Sequence, residues 1–328
     1  MTNIILTNVC NANCPFCFAL EQAKSPGQFL SLEDVKGRIN FVRDSGQSQI
    51  RLMGGEPTLH PKFEEIVDLV ISNGMTAILF SNGYISETCL QYLKTLPAEK
   101  IALLVNLNAQ CPAPNSEAQR LKVLSALNKK ITLGFTILDP IFDLSQYLEW
   151  IKTYQLQPKL RLGLAQPILF GGNLYLSPKL YKKAAQSILI NAYHANHQNI
   201  QLEFDCGFVR CMFTEEEWNQ LDEFGVVSEC HCAPNLDIDM DGRIFHCFSL
   251  AQISTPLNKH QTFSETFKLI EDQRKIFRES GIYPECSICP EKISGNCSGG
   301  CLSITMRRFH GLTPAFLAEY FRDHQSHK

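Results

Sequence analysis

The sequence predicts an α/β fold, a parallel sheet covered by helices and followed by a small cysteine-rich part. Three observations predict it. Strand-like apolar runs alternate with helix-like segments six times within residues 3–195. Three cysteines, Cys10, Cys14 and Cys17, follow the first apolar run within eight residues. Of the chain's 14 cysteines, nine lie between Cys206 and Cys301, where the alternation stops.

The elements are justified in order. Residues 3–9 are a continuous apolar run that reads as a buried strand. Ser31-Leu-Glu-Asp34 starts a helix in the manner of a capping box, running to Arg43. Gln49–Met53 is a strand, Lys62–Ser72 a helix, and Thr76–Phe80 a strand. A helix from Glu87 leads to the strand Ile101–Leu107, and Glu117–Asn128 is helical. Ile131–Ile137 is a strand, Phe142–Tyr154 a helix, and Lys159–Leu164 a strand. Pro178–His194 reads as the last long helix. Strict alternation means parallel strands with helices outside. The count alone leaves open a closed barrel, an open barrel or a doubly wound sheet. In each of them ligands bind at the carboxyl ends of the strands.

Composition bounds the function. The 328 residues carry a net charge of −3, which gives no basic field for nucleic acid. The longest apolar runs, such as Ile101–Leu107, are too short to span a bilayer, so no membrane partner is expected. Met1–Ile4 shows neither a basic region nor a cleavage site of a secretory signal, and cytoplasmic residence is the expectation. In a reducing compartment clustered cysteines point to metal or redox chemistry rather than disulfides. Cys89 and Cys111 have no partner at ligand spacing and read as structural.

Cys10, Cys14 and Cys17 are spaced C-x3-C-x2-C, with the next cysteine at Cys89. A four-iron cube takes one thiolate per iron, so three local thiolates leave one iron open to a chelating ligand. A zinc knuckle or a redox thiol group is the competing reading. Strand two runs into Met53-Gly54-Gly55-Glu56-Pro57, where glycines allow close backbone approach and a carboxylate can accept from an ammonium group. Strand three ends in Ser81-Asn82-Gly83. Strand four ends in Asn106-Leu107-Asn108, with both asparagines on one face by alternation.

The C-x3-C-x2-C string after an apolar strand, with Gly-Gly-Glu-Pro one unit later, resembles the radical S-adenosylmethionine (SAM) superfamily. That resemblance implies a partial (β/α)6 barrel over residues 1–200. It implies a catalytic [4Fe–4S] cluster on Cys10, Cys14 and Cys17, whose open iron chelates SAM and whose electron cleaves it to a 5′-deoxyadenosyl radical. It also implies SAM contacts from Gly54, Gly55, Glu56 and Pro57, from Ser81 and Asn82, from Asn106 and Asn108 at the ribose, and from Phe16 near the adenine. Gly134 would give backbone access to the adenine, and Arg161 and Gln166 would reach the SAM carboxylate or the substrate. A flavodoxin- or ferredoxin-type reductant would supply the electron. His60 is expected to be a turn residue rather than a ligand.

After residue 200 cysteines stand at 206, 211, 230, 232, 247, 286, 289, 297 and 301. Cys232 and Cys247 flank Asp239-Met240-Asp241-Gly242-Arg243, a hairpin turn of Asp-Gly type. Cys286-x2-Cys289 and Cys297-x3-Cys301 follow. Zinc is the competing occupant, since C-x2-C pairs also hold it. The order resembles the SPASM/twitch extension of radical SAM enzymes, which implies that residues 201–328 form a small domain with one or two auxiliary [4Fe–4S] clusters. The first would take Cys232, Cys247 and Cys301 with one of Cys206, Cys211 and Cys230. The second would take Cys286, Cys289 and Cys297; the alternative is a single twitch-type cluster on both pairs, Cys232/Cys247 and Cys286/Cys289. The pattern departs from the extension in two ways: seven residues separate Cys289 from Cys297, and no cysteine follows Cys301. His231 and His246 are expected to be exposed. Asp237, Asp239 and Asp241 are expected at the turn and strand edge. The acid that some such enzymes carry after the second hairpin cysteine is replaced by Phe248.

The expected function is oxidative modification of a peptide or protein side chain. A separate peptide-recognition protein is a possible partner. A radical SAM dehydrogenase of a small molecule is the alternative, and a non-catalytic iron–sulfur electron-transfer protein is the alternative from another class.

Overall fold

The computed structural model describes residues 2–20, 26–108, 117–232, 235–257, 262–309 and 311–313. The strands are β1 (Thr2–Ile5), β2 (Gln49–Met53), β3 (Thr76–Ser81), β4 (Ile101–Asn106), β5 (Ile131–Ile137), β6 (Lys159–Leu164), β7 (Gln201–Phe204), β8 (Leu236–Ile238), β9 (Arg243–Phe245) and β10 (Thr255–Pro256). They form one sheet in the order β10-β9-β8-β1-β2-β3-β4-β5-β6-β7. Strands β1 to β7 are parallel, and β8 joins β1 in parallel. The short β9 and β10 are antiparallel. Neither end strand pairs with the other, so the sheet stays open.

Connecting helices α1 (Leu32–Asp44), α2 (Phe63–Ser72), α3 (Glu87–Thr95), α4 (Glu117–Leu127), α5 (Ser145–Thr153) and α6 (Tyr181–Asn196) follow the strands in turn. Local chemistry starts them: Ser31 Oγ accepts from Asp34 N and Ser86 Oγ from Cys89 N, each satisfying an amide that the helix leaves orphaned. The helices bury one face of the sheet. Ile4, Ile50, Leu52, Ala77, Leu79, Leu103, Leu133, Leu160 and Leu162 all belong to that core. The alternate residues, among them Asn3, Arg51, Phe80 and Arg161, face the other way.

That second face is concave. Strands in a flat sheet lie about 4.8 Å apart, so β2 and β6 would be separated by about 19 Å. Yet Arg51 and Arg161 both stand over the Phe80 ring, at 5.7 and 5.8 Å from its centroid. The sheet curls enough for their side chains to meet inside.

Two expectations change. The alternation continues past residue 200, since β7 is followed by α7 (Glu215–Glu223) behind a full capping box at Thr214. The sequence hid this because β7 is only four residues long, Gln201–Phe204. The last long helix is not at 178–194 but α8, Phe263–Ser280, of 18 residues. The short helices α9 (Pro290–Ile293) and α10 (Leu302–Met306) complete the chain's described helices. The Asp-Gly turn is where it was expected, between β8 and β9, with Gly242 at φ 73° and Asp239 Oδ1 accepting from Asp241 N and Arg243 N. Among the described residues no helix is long and apolar enough to cross a membrane.

Candidate active site and cysteine centres

The loop after β1 carries Cys10, Cys14 and Cys17. Cys17 N donates to Cys14 O at 3.1 Å, which turns the chain between those two residues. Burial pushes the Cys17 thiol up to about 11, with Cys10 close enough to add to the rise. Burial also raises Cys10, while the Ala12 amide and the Asn82 side chain act the other way. Cys14 takes part in a disulfide in this structure, a bond that iron ligation would have to open. Phe16 is half-buried, and its carbonyl accepts from Asn173 Nδ2 at 3.3 Å.

The Gly-Gly-Glu-Pro stretch is pressed onto this loop. Gly55 N donates to Thr7 O and Glu56 N to Val9 O, both at 2.8 Å. A Cβ on Gly54 would strike Thr7 O, and one on Gly55 would strike Val9 O and Cys10. The two glycines therefore let strand two's exit pack against the cysteine loop's backbone. Pro57 is buried and opens a short 3-10 turn.

Glu56 is fully buried beside the cysteine loop. It accepts from Thr58 Oγ1 at 2.7 Å, Thr58 N at 3.2 Å, Ser81 Oγ at 3.1 Å and Asn82 N at 2.8 Å. Ser81 is likewise buried and spent on this network. Asn82 is the residue that emerges from it: Nδ2 donates to Asn11 Oδ1 at 2.8 Å and lies 3.7 Å from Cys10 Sγ. Asn108 corrects the sequence reading. It is 1% exposed and clamps β5, donating to Thr136 O at 2.7 Å and accepting from Thr136 N at 3.0 Å. Strand β4 ends at Asn106, so alternation does not carry Asn108 onto the same face. Asn106 stays half-exposed, with its side chain lying on Gly134 where the adenine was expected. His60 is a turn residue as expected, bonded to Leu30 O at 2.8 Å.

The nine later cysteines fall into two groups. Burial pushes the Cys206 thiol well up, and Asp205, Cys232, Cys301 and Cys247 add to the rise. Cys247 and Cys301 are raised by burial and by Cys232 as well. These four thiols are thus mutual neighbours. Cys206 was one of three upstream candidates; it lies two residues past the end of β7, a strand the sequence did not reveal. The second group forms around Cys211, which burial pushes up to about 11, with Cys286, Cys297 and Cys289 contributing. Backbone geometry brings it there: Arg210 Nε stands 3.5 Å from Glu291 Oε2, and Val209 packs on Gly300. Cys230 borders this group beside Cys297 and Cys211. Cys89 stands apart, half-buried, with its thiol 3.5 Å from Thr58 O, and Cys111 lies outside the described residues.

Residues 4–155 match the Radical SAM superfamily. This part of the chain is a radical SAM domain. Two curated relatives are similar to it: the GTP 3′,8-cyclase of Vibrio cholerae, 26% identical over 171 residues (46% of this chain, 50% of that one), and that of Actinobacillus pleuropneumoniae, 27% over 168 residues (46% and 49%). The chain spans about half the length of these relatives. Two solved structures share the fold. Native anSMEcpe with bound AdoMet and Kp18Cys peptide aligns with a TM-score of 0.67 at 16% identity, over 98% of this chain and 95% of that one. Streptococcus suis SuiB bound to precursor peptide SuiA aligns at 0.69 and 14%, over 95% and 73%.

Among the described residues no three His, Cys, Asp or Glu side chains close on one metal ion. The two groups, each of four thiols, have the donor chemistry of a four-iron cube, which takes one thiolate per iron.

The concave face of the sheet holds a charged cluster. Arg161 pairs with Asp205 at 2.6 Å, and Lys159 with Glu203 at 3.2 Å. Burial lowers the Arg51 guanidinium's pKa, Arg161 lowers it further, and Asp205 and Asp237 oppose. Asp237 corrects its assignment to the strand edge: it is 1% exposed, faces Asn3 in register and accepts from Asn3 Nδ2. Burial pushes its carboxyl up to about 7 from 3.8, against Asn3, Arg51 and the Phe248 amide. His246 is also buried rather than exposed, at 1%.

The Asp237 shift fixes the sign of a pH effect. A carboxyl raised in the folded state holds its contribution at low pH, and the contribution is lost as the unfolded chain ionises first. Stability is therefore expected to fall between pH 3.8 and about 7, by at most about 4 kcal/mol. Urea unfolding of the apoprotein and of Asp237→Asn checks this: the variant should gain on the parent as pH rises across that window. Parallel curves would refute it.

Proposed function

We propose that the chain cleaves SAM reductively and oxidises a peptide or protein side chain, using one catalytic and two auxiliary [4Fe–4S] clusters. The observation that carries this reading is the separation of the later thiols into two groups beside a three-cysteine loop at the carboxyl edge of a parallel sheet. Cys10, Cys14 and Cys17 would hold the catalytic cluster. Cys206, Cys232, Cys247 and Cys301 would hold one auxiliary cluster, and Cys211, Cys286, Cys289 and Cys297 the other, with Cys211 standing in for a cysteine the pattern lacks after Cys301. Bound together, cluster and SAM supply an electron and a 5′-deoxyadenosyl radical that removes a substrate hydrogen atom.

The chain's own residues fix and shield these groups. Gly54 and Gly55 lock the cysteine loop, and Asn82 donates toward Cys10. Phe16 borders the mouth. The apolar cluster of Ile5, Met53, Phe245 and Phe248 lines the interior and excludes water there. Asp237 faces the same interior from β8 and is the residue suited to accept a proton from a substrate being oxidised. Peptide as the substrate class is supported by fold likeness to anSMEcpe and SuiB, both solved with peptides. A flavodoxin- or ferredoxin-type reductant and a peptide-recognition protein would be its partners in the cytoplasm. Residues 1–200 would act as the SAM-cleaving part and residues 201–328 as the auxiliary part.

A second reading, an anionic small molecule as substrate, is favoured by Arg51. Its guanidinium lies inside the domain over Phe80 with no hydrogen bond or ion pair among the described residues, and the GTP 3′,8-cyclases are relatives in sequence.

One experiment separates these readings. The reconstituted protein is incubated without oxygen with SAM, dithionite and peptides encoded beside its gene, and the products are weighed. The expected results are 5′-deoxyadenosine, a peptide lighter by about two hydrogens and about twelve irons per chain. Deoxyadenosine with intact peptides would favour the small-molecule reading. No deoxyadenosine would mean an electron-transfer protein.

A further inference from the structure

Helix α8 places an arginine where none should be stable alone. Arg274 is 0% exposed and is the largest fully buried side chain among the described residues. Its guanidinium donates to two backbone carbonyls, Ile270 O at 2.6 Å and Ile253 O at 3.0 Å, and its Nε has no partner. No carboxylate pairs with it among the described residues. Glu271, on the same helix, is taken by Arg278, whose Nε stands 3.3 Å from Glu271 Oε2. A buried, unpaired cation costs several kcal/mol, and Arg278, one turn further on, adds a like charge.

The compensating charge lies on the facing hairpin. Ile253, whose carbonyl accepts from Arg274, belongs to the apolar cluster against which Cys247 packs, and after burial the Cys247 thiol is the strongest influence on the guanidinium, ahead of Glu271. Arg278 reaches the same hairpin, its Nη2 lying 2.6 Å from His246 Nε2 beside Cys247, and it lowers the Cys301 thiol. His246 is held neutral there, first by burial and then by the two arginines. Arg274 and Arg278 thus both act on thiols of this one group, Arg274 on Cys247 and Cys232, and Arg278 on Cys301. Neutral thiols would not offset them. A cube held by four thiolates is a net anion in every state and gains a further negative charge on reduction.

We propose that Arg274 is the buried counter-charge of the auxiliary cluster held by Cys206, Cys232, Cys247 and Cys301, and that it raises that cluster's reduction potential so that the site accepts an electron. This rests on the reading of those four cysteines as cluster ligands. A nearby fixed cation stabilises the reduced form more than the oxidised one, as outer residues tune other metal centres. Arg274 touches no reacting atom; it is a positioning residue for charge.

The test uses the full-length protein, reconstituted without oxygen, as parent, Arg274→Lys and Arg274→Met. Midpoint potentials are read by EPR during titration with dithionite, and melting is followed for apo and reconstituted forms. In Arg274→Met one cluster should shift to a more negative midpoint, or be lost as about four irons, while the apoprotein melts no lower than the parent. Arg274→Lys, which keeps the charge and gives up a carbonyl bond, should hold the midpoint near the parent's. Unchanged midpoints with full iron in Arg274→Met would overturn the proposal. So would an equal fall in melting of the apo and reconstituted forms, which would make Arg274 a backbone brace only. Failure of the underlying reading looks different: Cys232→Ser would then lose no iron.

Discussion

Changing Cys10 to alanine is expected to abolish 5′-deoxyadenosine formation while leaving the fold intact. Cys10 is exposed at the loop, so its removal opens no core cavity. Two thiolates cannot hold a cube that needs three to present one open iron. Turnover should fall by at least about 1,000-fold, equivalent to roughly 4 kcal/mol of barrier. Chromatography of the nucleoside product reads it, and iron content should drop by about four per chain. Circular dichroism should superpose on the parent. Retained activity with full iron would sink the assignment of the loop.

The second large effect is on stability. Glu56→Ala removes the acceptor for Thr58 N, Thr58 Oγ1, Ser81 Oγ and Asn82 N, all inside the protein. Buried donors left unmatched cost about 1–3 kcal/mol each, so a total on the order of 3–5 kcal/mol is expected after local relaxation. Denaturant unfolding of the apoprotein measures it. Glu56→Gln keeps one acceptor oxygen and should lose roughly half as much. An apoprotein barely affected by Glu56→Ala would refute the structural weight of this network. The network also positions Asn82, so in Glu56→Gln the donor 3.7 Å from Cys10 Sγ should loosen, with slower cluster loading as its trace.

The strands were legible because burial on one face enforces strict apolar runs. Gln49–Met53, Ile131–Ile137 and Lys159–Leu164 have the same limits in sequence and structure. Strand β7 was not, since four residues carry too little periodicity. The cysteine loop and the Gly-Gly-Glu-Pro stretch were legible from spacing. What their side chains do was not. Glu56 was expected at SAM from the resemblance, whereas its hydrogen bonds from Ser81 and Asn82 depend on strand β3 arriving alongside. Asn108 looked like a mouth residue because alternation was extended two residues past the end of β4.

The sequence by itself determined the radical SAM domain, the order of its strands and helices, and the supply of thiols. The order of elements follows from periodicity, which local chain geometry enforces, while the radical SAM assignment followed from the resemblance of the cysteine string and the Gly-Gly-Glu-Pro stretch to that superfamily. Tertiary structure alone decided which cysteines are neighbours, that Glu56 and Asp237 are enclosed, and that Arg274 is buried on two backbone carbonyls. Each of those depends on groups distant in sequence, up to the 234 residues between Asn3 and Asp237, meeting in a low-dielectric interior, where the partner, and not the residue type, sets charge and reactivity.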